Sequence, residues 1–272
     1  MADPYADLAN APKEMQLRIA QAMAARCQDP AQIALRRDYL GSLSLPPDAF
    51  AVELGSGTGH VTCDLIDMAG ATKAHGIEPS GIMVEHARDF HGDRQDVTFE
   101  IGDAKSTGLP NATCDLVLAH TLLCHVPGPE DVITEAARIL KPGGILAICD
   151  GDYDTATTAI GDFDPLEPVV KFMINENVTN LWVMRGLGPT LVGTGFDVGA
   201  QKGHGYVAEG EATYFLTVID RGSDIMADRG LISAATGAAL KAEARERVSR
   251  KAFFGFMSYV SLIATKRDGG SS

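Results

Sequence analysis

The sequence predicts an α/β protein with a mostly parallel sheet and helices packed on it. Three observations predict this. From about residue 50 to residue 150, short apolar runs alternate with longer amphipathic ones, the sequence form of βαβ units. A glycine turn, Gly55, Gly57 and Gly59, follows the first apolar run directly and precedes a helical stretch. Acidic residues, Glu78 and Asp103, stand at the ends of the next two runs.

Residues 1–47 read as one or two cap helices. Leu8, Met15, Ile19 and Met23 recur at helical spacing, and a second stretch runs from Pro30 to Leu40 before Pro46-Pro47. A core follows over 48–207, with strands expected at Phe50–Leu54, Ala74–Ile77, Val97–Ile101, Leu116–Ala119 and Ile145–Cys149. Helices are expected at 60–70, 80–90 and 129–140, the last stopped by Lys141-Pro142-Gly143-Gly144. Asp164–Thr194 reads as helical and Asp197–Val207 as a strand. The segment 208–250 holds two or more helices; at about 40 residues it exceeds ordinary connections and predicts a lid. The last core strand, Phe253–Lys266, and a disordered Asp268–Ser272 tail complete 251–272.

A chain of 272 residues that is 45% hydrophobic can bury one substantial core. No apolar run approaches the roughly 20 residues of a membrane span. The N-terminus lacks the basic and apolar regions of a secretory signal, so a cytoplasmic protein without membrane partners is expected. A net charge of −13 argues against nucleic-acid partners, which need basic surface to release counterions. The cysteines, Cys27, Cys63, Cys114, Cys124 and Cys149, form an odd set without a CxxC pair and read as reduced and structural.

The glycine turn permits positive φ and leaves the backbone bare for a ligand, while the following helix N-terminus favours a negative group. Glu78 lies 19 residues beyond Gly59, where a carboxylate accepts from ribose hydroxyls. Asp103 is placed to accept from an adenine amine. A nicotinamide-dependent oxidoreductase is the nearest rival, but its G-x-G-x-x-G fingerprint puts the third glycine one residue later.

With VELGSGTGHVTCDL (52–65), GIEPSGIMVEHAR (76–88), IGDAKSTGLP (101–110), the stretch DLVLAHTLLCHVPGPEDVITEAARILKPGGILAI (115–148) and GPTLVGTGF (188–196), the chain resembles the class I S-adenosylmethionine (SAM) dependent methyltransferases. Within them it is similar to the UbiE-like, methyltransferase domain 11 small-molecule group. The resemblance is tight over about 50–150 and loose elsewhere. It implies a Rossmann-like, seven-stranded, mostly parallel sheet with an antiparallel last strand and a helical cap over the carboxyl edge. It implies SAM as cofactor, with Glu53, Gly55, Gly57 and Gly59 at its methionine end and Glu78 with Pro79 at the ribose. Met83 would lie on the adenine face, Asp103 and Ala104 at its edge, and His120 near the methyl group. Ser56 departs from the commoner cysteine of the family's glycine turn.

Methyl transfer needs chiefly positioning and exclusion of water, so a general base is useful but not obligatory. His120 is the leading candidate, and Asp150, ending the fifth predicted strand, is the second. His125 reads as a residue that holds its loop together. Tyr153, His204, Tyr206 and Tyr214 are substrate candidates. If a third of Phe163, Phe172, Met173, Trp182, Tyr214, Phe215, Leu216, Ile219 and Met226 face the pocket, the methyl acceptor is an apolar or aromatic small molecule. A metal at His120, Cys124 and His125 is rejected for want of a fourth ligand. A non-catalytic SAM-binding regulatory protein stays open as an alternative, as does a homodimer.

Overall fold

A computed structural model describes residues 3–208 and 210–268. Seven strands form one sheet: β1 (Phe50–Leu54), β2 (Lys73–Glu78), β3 (Val97–Ile101), β4 (Cys114–His120), β5 (Leu140–Thr157), β6 (Phe196–Val207) and β7 (Phe256–Lys266). Their order is β3-β2-β1-β4-β5-β7-β6. The first five strands pair in parallel, and β7 runs antiparallel to both β5 and β6, so β6 points the same way as β1 to β5. Burial of Leu116 through His120 on β4 accounts for its unbroken apolar run: a strand covered on both faces has no polar side to show.

Helices α1 (Lys13–Cys27) and α2 (Pro30–Leu40) precede the sheet. Three connections carry α3 (His60–Asp67), α4 (Gly81–His91) and α5 (Pro129–Ile139), and α6 (Glu167–Asn177) and α7 (Val183–Gly193) lie between β5 and β6. Between β6 and β7 stand α8 (Thr213–Asp228) and α9 (Ala234–Ser249), with α8 packed on both α6 and α9. Asp29 caps α2, its carboxylate accepting from Ala31 N at 2.8 Å, and Ser80 caps α4. Arg36 joins α2 to its neighbours, donating to Asp64 at 2.6 Å and to the Cys27 carbonyl at 2.7 Å. All five cysteines are free and buried.

The fifth strand departs from expectation. It runs from Leu140 to Thr157 instead of Ile145 to Cys149, because β7 pairs with it well beyond the expected end, through Asp150↔Val260 and Asp152↔Ser258. The Lys-Pro-Gly-Gly turn falls within its first residues, beside a register shift opposite Cys114 and Leu116, with Gly143 at φ 72°. Asp150 therefore lies inside a paired strand, and Tyr153 falls in the irregularity between Asp152 and Thr157, not at a free tip. The disordered tail expected at Asp268–Ser272 falls, past Asp268, outside the described residues.

Burial holds several histidines neutral. It lowers His60 to about 4 from its ordinary 6.5, helped by His91 and His86, and it also lowers His75, His91, His120 and His204. Below pH 6.5 the unfolded chain binds protons that these folded imidazoles refuse. Their contribution to stability is therefore complete above pH 6.5 and is lost as pH falls toward 4. The melting temperature is expected to fall between pH 7 and pH 5, and His60→Gln should flatten that decline. An unchanged slope in this variant would remove His60 from the account.

Candidate functional site

The carboxyl edge of the sheet gathers the residues singled out in the sequence. β1 ends at Leu54 and the chain turns through Gly55, Gly57 and Gly59 at φ 71°, 50° and 80°, so three left-handed residues deliver it into α3. β2 ends alongside. Glu78 Oε2 accepts from Gly57 N at 3.0 Å and Oε1 from Ser80 N at 3.0 Å, which locks the second strand tip to the glycine turn. Burial lifts the Glu78 carboxyl above its ordinary value despite these two donors. Behind it, buried Glu53 accepts from Thr62 Oγ1, and desolvation raises its carboxyl well above the usual range. Asp103 follows β3, is exposed, and accepts from Lys105 N at 2.9 Å. Ala104 is buried beside it and Pro79 is exposed.

Helix α1 lies on this edge. A Cβ added to Gly57 would sit 2.3 Å from Met23 Cε, and one added to Gly55 would sit 2.6 Å from Leu122 Cδ1. Met83 is fully buried in a small cluster with Leu8, Ile19 and Ala20, and Gln16 accepts from Ser80 Oγ at 2.6 Å. The apolar stripe of the N-terminal helix is thus buried against Met83 of α4, with Met23 reaching over Gly57.

His120 ends β4, buried at 6% exposure, with Nδ1 2.9 Å from the Tyr39 hydroxyl. Desolvation, aided by Arg36 and Arg26, pushes its pKa well below the ordinary value, so the ring is neutral at physiological pH. Asp150 is wholly buried. Its Oδ2 accepts from Cys124 N at 3.0 Å and its Oδ1 from Gly151 N at 2.9 Å, so its carboxylate secures the loop after β4. His120 is held by Tyr39 of α2 and Asp150 lies within the β5–β7 pairing.

A cavity of about 300 Å³ lies among α1, α6, α8, Tyr153 of β5 and Tyr206 of β6. Tyr5, Tyr153, Tyr206 and Tyr214 line it, with Met23 and Arg26 from α1. His204, expected beside Tyr206, does not. It turns to Ser261 Oγ at 2.8 Å and Asp38 at 3.3 Å, where the Tyr39 ring packs edge-on to it. Of the nine residues named from Phe163 to Met226, only Met173 and Tyr214 reach the cavity, fewer than the third on which an apolar acceptor was to rest; Phe163 and Trp182 are exposed and Phe215 is core. His125 lines the wall and binds Asp3 Oδ2 at 2.9 Å, while Tyr5 stacks on it at 4.4 Å. It therefore ties its loop to the N-terminal segment. Arg26, Asp29 and Arg221 also line the cavity and were not singled out. The available signal was Arg26 three residues after Met23, on the same face of α1. Among the described residues no cluster of His, Cys, Asp and Glu is arranged to hold a metal.

Strand order, glycine turn and acid-tipped neighbours define a Rossmann-like domain with its ligand edge at the strand carboxyl ends. Residues 52–148 match the family model described as a methyltransferase domain. Over that span the chain is similar to the methyltransferase domain family. It is 36% identical to 27-O-demethylrifamycin SV methyltransferase of Amycolatopsis mediterranei over 113 residues, 40% of this chain and 41% of that one. It is 34% identical to trans-aconitate 2-methyltransferase of Streptomyces coelicolor over 115 residues, 40% of this chain and 38% of that one. The chain spans less than half the length of these curated relatives. Among solved structures, phosphoethanolamine N-methyltransferase 2 of Haemonchus contortus with S-adenosylhomocysteine shares the fold, at a TM-score of 0.51 and 15% identity, covering 83% of this chain and 50% of that one.

The residues at the β1 tip fit the family's cofactor. At Gly57 the backbone is covered only by the flexible end of Met23 and the Glu78 carboxylate stands against it, whereas Gly55 packs on Leu122 and Gly59 on Phe99 and Ala87. Glu53, Glu78 and Asp103 are acceptors suited to the hydroxyl and amine donors of an adenosyl group.

Proposed function

We propose that this chain transfers the methyl group of SAM to O, N or C of a small, apolar or aromatic molecule held in the cavity between α1, α6 and α8. The observation that carries this reading is the 3.0 Å contact between Gly57 N and Glu78, which joins the bare turn to the acid of the neighbouring strand tip. When bound, SAM supplies an electrophilic methyl carbon on a positively charged sulfur. Glu53, Glu78 and Asp103 would hold its hydroxyl and amine donors at the turn 55–59. The chain's share is to align the acceptor and keep water out, which the tyrosine walls of the cavity suit. His120, neutral and tied to Tyr39, holds the β4 tip in this scheme, and Asp150 holds the loop beyond it.

On this reading cofactor and α1 compete for one surface. Met23 covers Gly57 and also lines the cavity, so drawing it aside joins the glycine turn to the acceptor's place. Met23→Ala is expected to tighten SAM binding several-fold, because a covered site loses apparent affinity in proportion to the covered fraction. Titration calorimetry reads this directly, and weaker binding would mean that Met23 contacts the cofactor.

The reaction is tested by incubating the chain with SAM and a broad acceptor library and measuring S-adenosylhomocysteine. A thermal-shift panel of SAM, S-adenosylhomocysteine, NAD and NADP accompanies it, since a ligand that binds only the folded state raises the melting temperature. Stabilisation by SAM and product formation are expected. Stabilisation by NAD but not by SAM would overturn the assignment.

A further inference from the structure

We infer that the molecule held in the cavity carries a carboxylate, and that Arg26 of α1 and Arg221 of α8 anchor it. This rests on the cavity being the acceptor's place, as proposed above.

The argument begins with charge. The chain has 36 acidic residues against 23 lysines and arginines, so a cation has carboxylates available almost everywhere. Arg36, Arg94, Arg138, Arg185, Arg229, Arg245, Arg247 and Arg267 each pair with a carboxylate within 4 Å. Arg18, Arg37, Arg88 and Arg250 are exposed to solvent. Among the described residues that leaves Arg26 and Arg221, both part-buried, neither with a carboxylate in reach, and both lining the same cavity.

Arg26 donates from Nη2 to Thr121 Oγ1 at 3.1 Å, a neutral partner directly after the β4 tip. Around it stand the phenol rings of Tyr5 and Tyr153. The one acid of the lining is Asp29, and it is committed. It accepts from Ala31 N at 2.8 Å and Gln32 N at 3.3 Å at the head of α2, and from the Tyr206 hydroxyl at 3.3 Å. His125 in the wall already faces Asp3.

A guanidinium withdrawn from bulk water without a counter-charge is costly, and an anionic ligand removes that cost. Its planar fork matches a carboxylate in a way that a single ammonium does not. The excess of one positive charge over Asp29 suits a monoanion better than a phosphate dianion. Ala22, Ile174, Val178 and Val218 leave the remaining wall apolar, so the body of the ligand is apolar too. The acceptor is therefore a small apolar or aromatic monocarboxylic acid, at the lower end of the usual pocket size of about 300–1,000 Å³.

Titration calorimetry on the full chain tests this with benzoate, trans-cinnamate and indole-3-acetate. Each acid is measured beside its primary amide, with and without S-adenosylhomocysteine. At least one acid is expected to bind about 10- to 100-fold more tightly than its amide, the range for a hydrogen bond to a charged group. Arg26→Met should bring acid and amide within twofold, and Arg26→Lys should retain part of the preference. Arg221→Met, on another helix, should reduce it independently, so the test survives if the Arg26 variant fails to fold. Equal binding of acids and amides, no binding of any acid, or a preference kept in both methionine variants would overturn the inference. An acid preference without S-adenosylhomocysteine formation would leave the anchor standing and remove methyl transfer. Turnover of neutral acceptors without any acid preference would do the reverse.

Discussion

Gly59→Ala is expected to lower the melting temperature on the order of 10 °C, the largest effect of any single change at this site. The residue sits at φ 80°, and its added Cβ would lie 2.6 Å from two atoms of the Phe99 ring and 3.0 Å from Ala87 Cβ. Alanine in the left-handed region costs about 1–3 kcal/mol and overpacking a core another 1–3 kcal/mol. Phe99 is buried between β3 and α4 and has nowhere to retreat. Gly57→Ala provides the internal contrast, because its Cβ meets only the flexible end of Met23. That variant should fold with a smaller penalty and lose SAM binding, since its new methyl stands on the cradle itself. Thermal denaturation of both proteins decides the matter. Equal melting temperatures would mean that the turn relaxes freely and is not the rigid element described.

Glu78→Ala is expected to weaken SAM binding about 10- to 100-fold. It should also destabilise the folded chain by about 1–3 kcal/mol for each of the buried donors, Gly57 N and Ser80 N, that it leaves unpaired. Asp103→Ala separates the two effects, because exposed Asp103 supports only its own turn through Lys105 N. Loss of affinity without loss of stability is expected there. Calorimetric titration with SAM, together with melting curves, checks both variants. Unchanged affinity in the pair would remove the cofactor from this edge of the sheet.

Much of the scaffold is legible in local chemistry. β1 and β3 lie at the residues expected, Phe50–Leu54 and Val97–Ile101, because each is a short apolar run closed by a turn. The bend at 55–59 is equally local, since glycines at those spacings have few other uses between a strand and a helix. The proximity of Glu78 to the turn follows once β1 and β2 are accepted as parallel neighbours. Other features have no local signal. His120 and Tyr39 are 81 positions apart, so nothing near His120 announces that its ring nitrogen is engaged. The length of β5 depends on β7, more than a hundred residues on, whose pairing continues the strand past Cys149. His204 and Tyr206 alternate onto one face of β6, yet only Tyr206 reaches the cavity, because α2 intervenes at His204.

The sequence by itself determined the α/β class and the glycine turn with its acids, since each rests on periodicity or on spacing within a few residues. Only the tertiary structure decided where the N-terminal helix lies. The same apolar stripe, Met15, Ile19 and Met23, would bury against any hydrophobic surface, and the fold offers it Met83 at the head of α4, with Met23 reaching over Gly57. That placement brings Arg26 to a cavity whose one acid, Asp29, is committed elsewhere. Burial and pairing are set by which distant segments share a surface, and residue order along the chain does not record that.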